Sequence, residues 1–339
     1  MSRRTRTASA VTSAQAGGSR RSAAEHVVFG AGAVGLAIAD TLLARGVAPG
    51  QVRMVSRGGL GSLPAGVQSL GGDVSDAAFA LAAAAGARVV YQVLNAPYHR
   101  WAEDFPPLQH SVITAAAAAG ARLVTLENVY AYGAPARRPD GTTVPFTEDS
   151  PLTPHTRKGT VRAQMHTELM AAHAAGRVEV AVGRASDYFG PSGGQAVNLG
   201  EQAMRAALAG RPAQVLGDPD QPHTYSYIPD IASGLAILGE HPAAPGTVWH
   251  LPNDPQTRTT RQLLDRVYQL AGQPRARLQQ VPVLALRGLG LFRPAARETI
   301  EMLYEFDRPF VVDSSRITAL GARYTPIDQA LEATLAAYL

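Results

Sequence analysis

The stretch His26-Val27-Val28-Phe29-Gly30-Ala31-Gly32-Ala33-Val34-Gly35 decides the fold. A short apolar run suited to a buried strand meets a glycine cluster, and a helical stretch from Val34 to Ala44 follows at once. A Gly-x-Gly-x-x-Gly placed between strand and helix is a far more specific signal for a dinucleotide than the bare spacing. Gly30 permits a tight turn, Gly32 lets the backbone approach a pyrophosphate, and Gly35 lets helix and strand pack closely. The helix start at Ala33 and Val34 supplies N–H donors and positive potential.

Outward from this stretch the pattern repeats. Apolar runs recur at 51–55, 88–94, 121–126 and 177–182, with Ala-rich helical segments between them at 76–85, 111–119 and 161–175. Strands separated by helix-length segments imply βαβ units: a Rossmann-type α/β fold, a doubly wound parallel sheet with helices on both faces. The runs are continuous rather than alternating, as strands buried on both sides are. Beyond residue 190 the chain turns richer in Pro and Gly, with helical pieces at 199–209, 228–238, 260–271 and 327–337. The sequence therefore predicts a basic disordered tail over 1–25, a nucleotide-binding domain over 26–190, and a smaller substrate lobe over 191–339 interleaved with it. The Pro-, Gly- and Thr-rich stretch 134–155 reads as a long loop of the kind that often carries function.

Composition removes several classes. With 339 residues, 46% hydrophobic and 17% charged, the chain is long enough for a substantial core. The absence of cysteine excludes a disulfide framework, thiolate metal sites and a thiol nucleophile, and it fits a reducing compartment. No metal is expected. The net charge of +4 comes from the tail, where Arg3, Arg4, Arg6, Arg20 and Arg21 face only Glu25. The remainder is formally neutral and poor in aromatics, which argues against a nucleic-acid partner. No apolar run approaches the roughly 18 residues of a membrane span, so a soluble, cytoplasmic protein is expected.

The end of the second strand bears on which nicotinamide nucleotide binds. Sites for NAD usually place a carboxylate there for the ribose 2′-hydroxyl, whereas Met54-Val55-Ser56-Arg57 ends in a hydroxyl and a guanidinium. Ser56 and Arg57 suit a 2′-phosphate, so NADP(H) is preferred and NAD(H) stays possible. Asp73 and Val74, after the third strand, are placed by the adenine, and Asn95, after the fourth, beside the cofactor. Of the 31 basic residues, 30 are arginine and one is lysine, Lys158. A compact, shiftable ammonium kept at a single position is a candidate for chemistry.

Taken together, these motifs resemble the extended short-chain dehydrogenase/reductases, the group often called NAD-dependent epimerase/dehydratases. The likeness runs from His26 to the C-terminus. It is carried by the glycine cluster, Gly72-Asp73-Val74-Ser75-Asp76, the strand and turn 124–133, the segment 184–191 and the segment 223–230. The resemblance implies a catalytic Ser or Thr at the end of the fifth strand and a Tyr-x-x-x-Lys on the next helix. The lysine would lower the tyrosine pKa and hold the nicotinamide ribose. Counted along this chain, the lysine is Lys158, the tyrosine position is Pro154 and the serine position is Asn128.

Two of three groups have thus changed, and the usual acid must come from elsewhere. Tyr130 is the first candidate, His155 the second, with Asn128 as a hydrogen-bond donor to a substrate oxygen. The resemblance also sets Tyr98, Tyr130, Asp187 and His223 against the substrate. His223 stands where nucleotide-sugar members usually carry an arginine, which counts against a sugar diphosphate. The rim Asn95–Trp101 suggests a partly apolar small molecule. The leading expectation is an NADPH-dependent oxidoreductase acting on a small carbonyl, imine or activated alkene. The alternatives are an epimerase or dehydratase with no net redox change, and a non-catalytic NADP(H) sensor. A homodimer packed through the 161–175 face follows from the resemblance.

Overall fold

The computed structural model describes residues 24–58, 63–191, 198–290, 292 and 298–339; the N-terminal tail expected over 1–25 lies almost wholly outside them. The chain lays down β1 (His26–Phe29), α1 (Ala33–Ala44), β2 (Val52–Ser56), β3 (Gln68–Gly71), α2 (Ala77–Ala84), β4 (Val89–Gln92) and α3 (Trp101–Ala119). It continues through β5 (Arg122–Asn128), α4 (Arg157–Ala174), β6 (Val180–Ala185) and β7 (Asp187–Phe189). The sheet order is β10-β6-β5-β4-β1-β2-β3, where β10 is Val248–His250, and all its neighbouring pairs are parallel. This is the doubly wound arrangement that the glycine cluster and apolar runs predict. The crossover from β3 back to β4 on the other side of β1 makes a switch point, where the carboxyl ends of β1 and β4 open a crevice.

One face of the sheet is covered by α1 and by α6 (Ile228–Glu240), which pack over Val28, Ile38, Leu42, Met54 and Leu235. The other is covered by α2, α3 and α4, over Val27, Phe29, Val90, Val112 and Leu169. A separate core, around Phe189, Met204, Tyr225, Leu264 and Leu331, holds the smaller lobe together. That lobe includes α5 (Glu201–Leu208), β9 (Tyr225–Tyr227), α7 (Thr260–Leu270) and the final helix, Ile327–Ala336. Because α6 and β10 belong to the large sheet, the later half of the chain contributes to both lobes.

Two helices start earlier than the sequence suggests. The third begins at Trp101 rather than 111, with Pro106 and Pro107 inside it; these remove backbone donors and make the segment read as a loop. The fourth begins at Arg157 rather than 161, because Thr156 caps it by accepting from the Gly159 N–H at 3.0 Å. Among the described residues no helix is long and apolar enough to cross a membrane.

Candidate functional site

The glycine cluster is built by steric exclusion. Gly30 has φ +113°, and a Cβ there would lie 2.7 Å from the Val93 carbonyl oxygen. A Cβ on Gly35 would lie 2.0 Å from the Gly30 carbonyl oxygen. Both positions are closed by protein. Gly32 is the opposite case: its missing Cβ meets nothing within 4 Å. It sits at the N-cap of α1 with no side-chain cap on the helix's first N–H groups. That open space belongs to a cleft of about 720 Å³ along the carboxyl edge of the sheet.

The cleft wall contains Gly32, Ala33, Val34 and Gly35 at one end, Asn95 and Asn128 past the ends of β4 and β5, and Tyr98, Tyr130 and Asp187 further along. Asn128 accepts from the Tyr130 N–H at 3.3 Å and so starts the 3₁₀ turn Tyr130–Tyr132. Tyr130 stacks on Trp101 with ring centres 5.8 Å apart. Burial, then the charge of Glu305, pushes the Tyr130 phenol well above its ordinary range. Gly30 sits behind the turn rather than on the wall. Ser56 ends β2, Arg57 follows it exposed, and Val74 is buried after β3. The Asp73 carboxylate accepts from the Ser75 N–H at 2.9 Å, and the hydrogen bonds with Ser75 hold it below the usual carboxylate range. None of Ser56, Arg57, Asp73 and Val74 lines the cleft itself.

Lys158, His155 and His223, expected at the site, are not among the residues lining the cleft. Lys158 is 1% exposed, yet its ammonium does not line the cleft. It is bound by Glu298 and, at 3.1 Å, by Glu301, and it lies 4.2 Å from the centre of the Tyr98 ring, behind the cleft wall. Glu301 also accepts from the Arg157 and Lys158 N–H groups, so this carboxylate caps α4 as well. His155 precedes the helix with an exposed side chain, its ring edge against Tyr304. It does not line the cleft. His223 is buried and stacked on Phe306, with both ring nitrogens engaged. Its Nδ1 lies 3.1 Å from the Glu305 carbonyl oxygen, to which it donates, and its Nε2 lies 2.7 Å from Asp187. It holds Asp187, which lines the cleft.

The cation that does line the cleft is Arg162, one helical turn beyond Lys158. Its guanidinium lies 4.6 Å from the Trp101 ring and 4.3 Å from that of Phe105. It is 8% exposed, and its Nε has no hydrogen-bond partner. The Ser186 Oγ, also on the cleft wall, is buried and equally unpartnered. Both residues line the cleft, while these two atoms are themselves enclosed by protein. A sequence signal for this register exists in Gly159, where a Cβ would lie 2.6 Å from the Tyr130 carbonyl oxygen. Only a glycine lets α4 approach the turn after β5 so closely, which fixes the face that Arg162 presents. The opposite wall is closed by Thr299, Met302, Glu305 and Phe306, far away in sequence.

Below this site a buried charge network ties β5 to β6. Glu127 is paired in register with Arg184 and accepts from its Nε at 2.8 Å, with His166 Nδ1 at 3.3 Å. Burial opposes ionisation of Glu127, but Arg184 and His166 outweigh it and hold the carboxyl at about 2.

The family model for the NAD dependent epimerase/dehydratase family matches residues 27–251. No curated protein sequence matches the chain. Among solved structures, dTDP-glucose 4,6-dehydratase from Bacillus anthracis in complex with NAD superposes with a TM-score of 0.71 at 14% identity, over 93% of this chain and 96% of that one. UDP-glucose 4-epimerase from Thermotoga maritima with UDP-glucose gives 0.73 at 15% identity, over 92% and 98%. A protein described as a putative epimerase from Burkholderia cenocepacia gives 0.71 at 17%, over 94% and 99%. At such identities these likenesses establish the fold.

Proposed function

Because the chain belongs to the NAD dependent epimerase/dehydratase family, we propose that its cleft holds a nicotinamide dinucleotide and moves a hydride to or from a small oxygen-bearing substrate. The observation that carries this reading is the open space over Gly32, at the uncapped start of α1, in one cavity walled further along by Asn95, Asn128 and Arg162. These fit a pyrophosphate at one end and ribose hydroxyls further along. Gly32, Ala33 and Val34 would take the pyrophosphate, Arg162 the nicotinamide ribose, and Asn128 a substrate oxygen. When bound, the dinucleotide supplies hydride chemistry. Arg162 follows Lys158 at the four-residue spacing of the Tyr-x-x-x-Lys pattern, so the motif's two chemical positions read here as Lys158 and Arg162.

The bacterial dehydratase neighbour holds NAD. This chain ends β2 in Ser56 and exposed Arg57, with no carboxylate there, so it accepts NADP(H) as well and gains affinity for the 2′-phosphate from Arg57. The substrate half is walled by Tyr98, Trp101, Tyr130, Tyr188 and Phe306, with Asp187 and Glu305 as its acids. Among the described residues Arg162 is the one cation on the wall, and both His223 nitrogens are engaged. A diphosphate would meet carboxyl groups without a clamp, so a small, partly apolar carbonyl, imine or activated alkene suits the cleft better than the UDP-glucose of the Thermotoga epimerase. Family membership favours a second reading, in which the hydride returns to the same molecule and no net redox change results.

Titration with NADH and NADPH tests the assignment, with quenching of Trp101 fluorescence as readout. Both bind, and Arg57→Ala weakens NADPH while sparing NADH; equal weakening of both removes the role given to Arg57. Co-purification of a tightly held dinucleotide with no net oxidation of added NADPH selects the second reading. A cytoplasmic homodimer packed through the outer faces of α3 and α4 completes the proposal, and the mass in solution tests the dimer.

A further inference from the structure

On the reading of the cleft as a nicotinamide hydride-transfer site, we propose that Glu305 is the group that exchanges a proton with the substrate oxygen. Glu305 is one of the residues lining the cleft, as Tyr130 is, and is 1% exposed. It stands at the end of the 3₁₀ turn Leu303–Glu305, and its carbonyl oxygen is fixed by His223 Nδ1 at 3.1 Å.

Apart from the His223 imidazole, which is engaged by the Glu305 carbonyl oxygen and by Asp187, the groups around Glu305 are acidic or phenolic. From β7 comes Asp187, engaged by His223 Nε2 at 2.7 Å. From its own turn comes the Tyr304 hydroxyl, 3.4 Å from Oε1, and Tyr98 and Tyr130 line the same cleft. Lys158, behind Tyr98, is already held by Glu298 and Glu301, and Arg162 by the Trp101 and Phe105 rings. No cation among the described residues is paired with Glu305. A buried carboxyl without a cation, next to a second carboxylate, keeps its proton. Burial, reinforced by the charge of Asp187, accordingly raises Glu305 well above the usual carboxylate range. The phenols of Tyr98, Tyr130 and Tyr304 are pushed further from neutrality by burial, and no free ammonium stands at their oxygens to bring them down. Glu305 is thus an acid of the cleft wall whose surroundings favour its protonated form.

In reduction a carbonyl carbon accepts hydride from a reduced nicotinamide, which is oxidised, and a C–H bond forms. The C=O π pair moves to oxygen, the Glu305 O–H bond breaks, and its proton completes the hydroxyl, leaving a carboxylate. In oxidation the carboxylate takes the hydroxyl proton while hydride leaves to an oxidised nicotinamide.

The test uses the full-length protein and Glu305→Gln, which copies the shape of the neutral acid. Infrared spectra at neutral pH should contain a protonated-carboxyl stretch in the wild type that is missing in the variant. With NADPH and para-nitrobenzaldehyde as probe, the variant should lose about 100-fold in kcat at unchanged NADPH affinity, together with the alkaline limb of its pH profile. A wild type whose spectrum lacks the band, or a variant that keeps it, overturns the proposal with or without aldehyde turnover. So does a variant that reduces the aldehyde at the wild-type rate. Failure of the wild type to bind NADH or NADPH is a different result and defeats the underlying reading of the cleft.

Discussion

The Arg162 guanidinium carbon lies over Trp101, 4.6 Å from the ring centre, and its Nε is buried without a hydrogen-bond partner. A buried cation without a carboxylate partner is held there at a cost; burial depresses its own pKa. Stacking on Trp101 and Phe105 offsets part of that cost and fixes the fork before any ligand arrives.

Arg162→Met should therefore weaken NADH and NADPH alike by about tenfold or more, the worth of a charge-assisted hydrogen bond. Fluorescence titration measures it. Lys158→Met, one turn earlier, should leave both affinities within about threefold, because an ammonium behind the wall contributes no direct bond. The reverse pattern returns the cofactor role to Lys158.

Stability should respond the other way round. Lys158→Met strands Glu298 and Glu301, whose side chains are 11% and 27% exposed, without their cation. Removing one member of so enclosed a cluster costs about 2–3 kcal/mol. Urea unfolding should show this loss, and adding Glu298→Gln should recover part of it. An additive double variant means that the contact is not coupled.

His250 sets a limit on acid stability. Its Nδ1 donates to the Asp313 carbonyl at 2.7 Å and its Nε2 accepts from the Tyr132 hydroxyl at 2.7 Å. Both nitrogens are satisfied by the neutral ring. Burial lowers its pKa from 6.5 to about 4, so the unfolded chain binds more protons between those values. This contribution is complete above pH 6.5 and is lost as pH falls toward 4, on the order of 3 kcal/mol in all. Urea midpoints measured across that window should fall with acidity more steeply in the wild type than in His250→Gln. Parallel slopes locate the acid sensitivity elsewhere.

The parallel sheet and the dinucleotide turn were legible because they are local. Gly30, Gly32 and Gly35 lie within six residues, and the strands are continuous apolar runs. The start of α3 was not, since Pro106 and Pro107 imitate a loop. In the site, the rarity of Lys158 drew attention to α4, and the residue of that helix whose cation lines the cleft is Arg162, one turn later. Rarity marks a residue that must stay, and here it stays for two glutamates that lie 140 and 143 residues later. Glu305 was invisible for the same reason: 177 residues separate it from Asn128, and nothing in its neighbourhood along the chain says that it closes the cleft.

The most direct test of the central claim is titration of Gly32→Ala with NADH beside the wild type, with the melting temperature of each recorded. Gly32 has φ −77° and open space at its missing Cβ, so alanine fits the unliganded fold without strain. The account predicts an unchanged melting temperature and at least about a tenfold loss of NADH affinity, because the methyl group occupies the ground of the pyrophosphate. Wild-type affinity in the folded variant would contradict it, since no pyrophosphate could then lie on the start of α1.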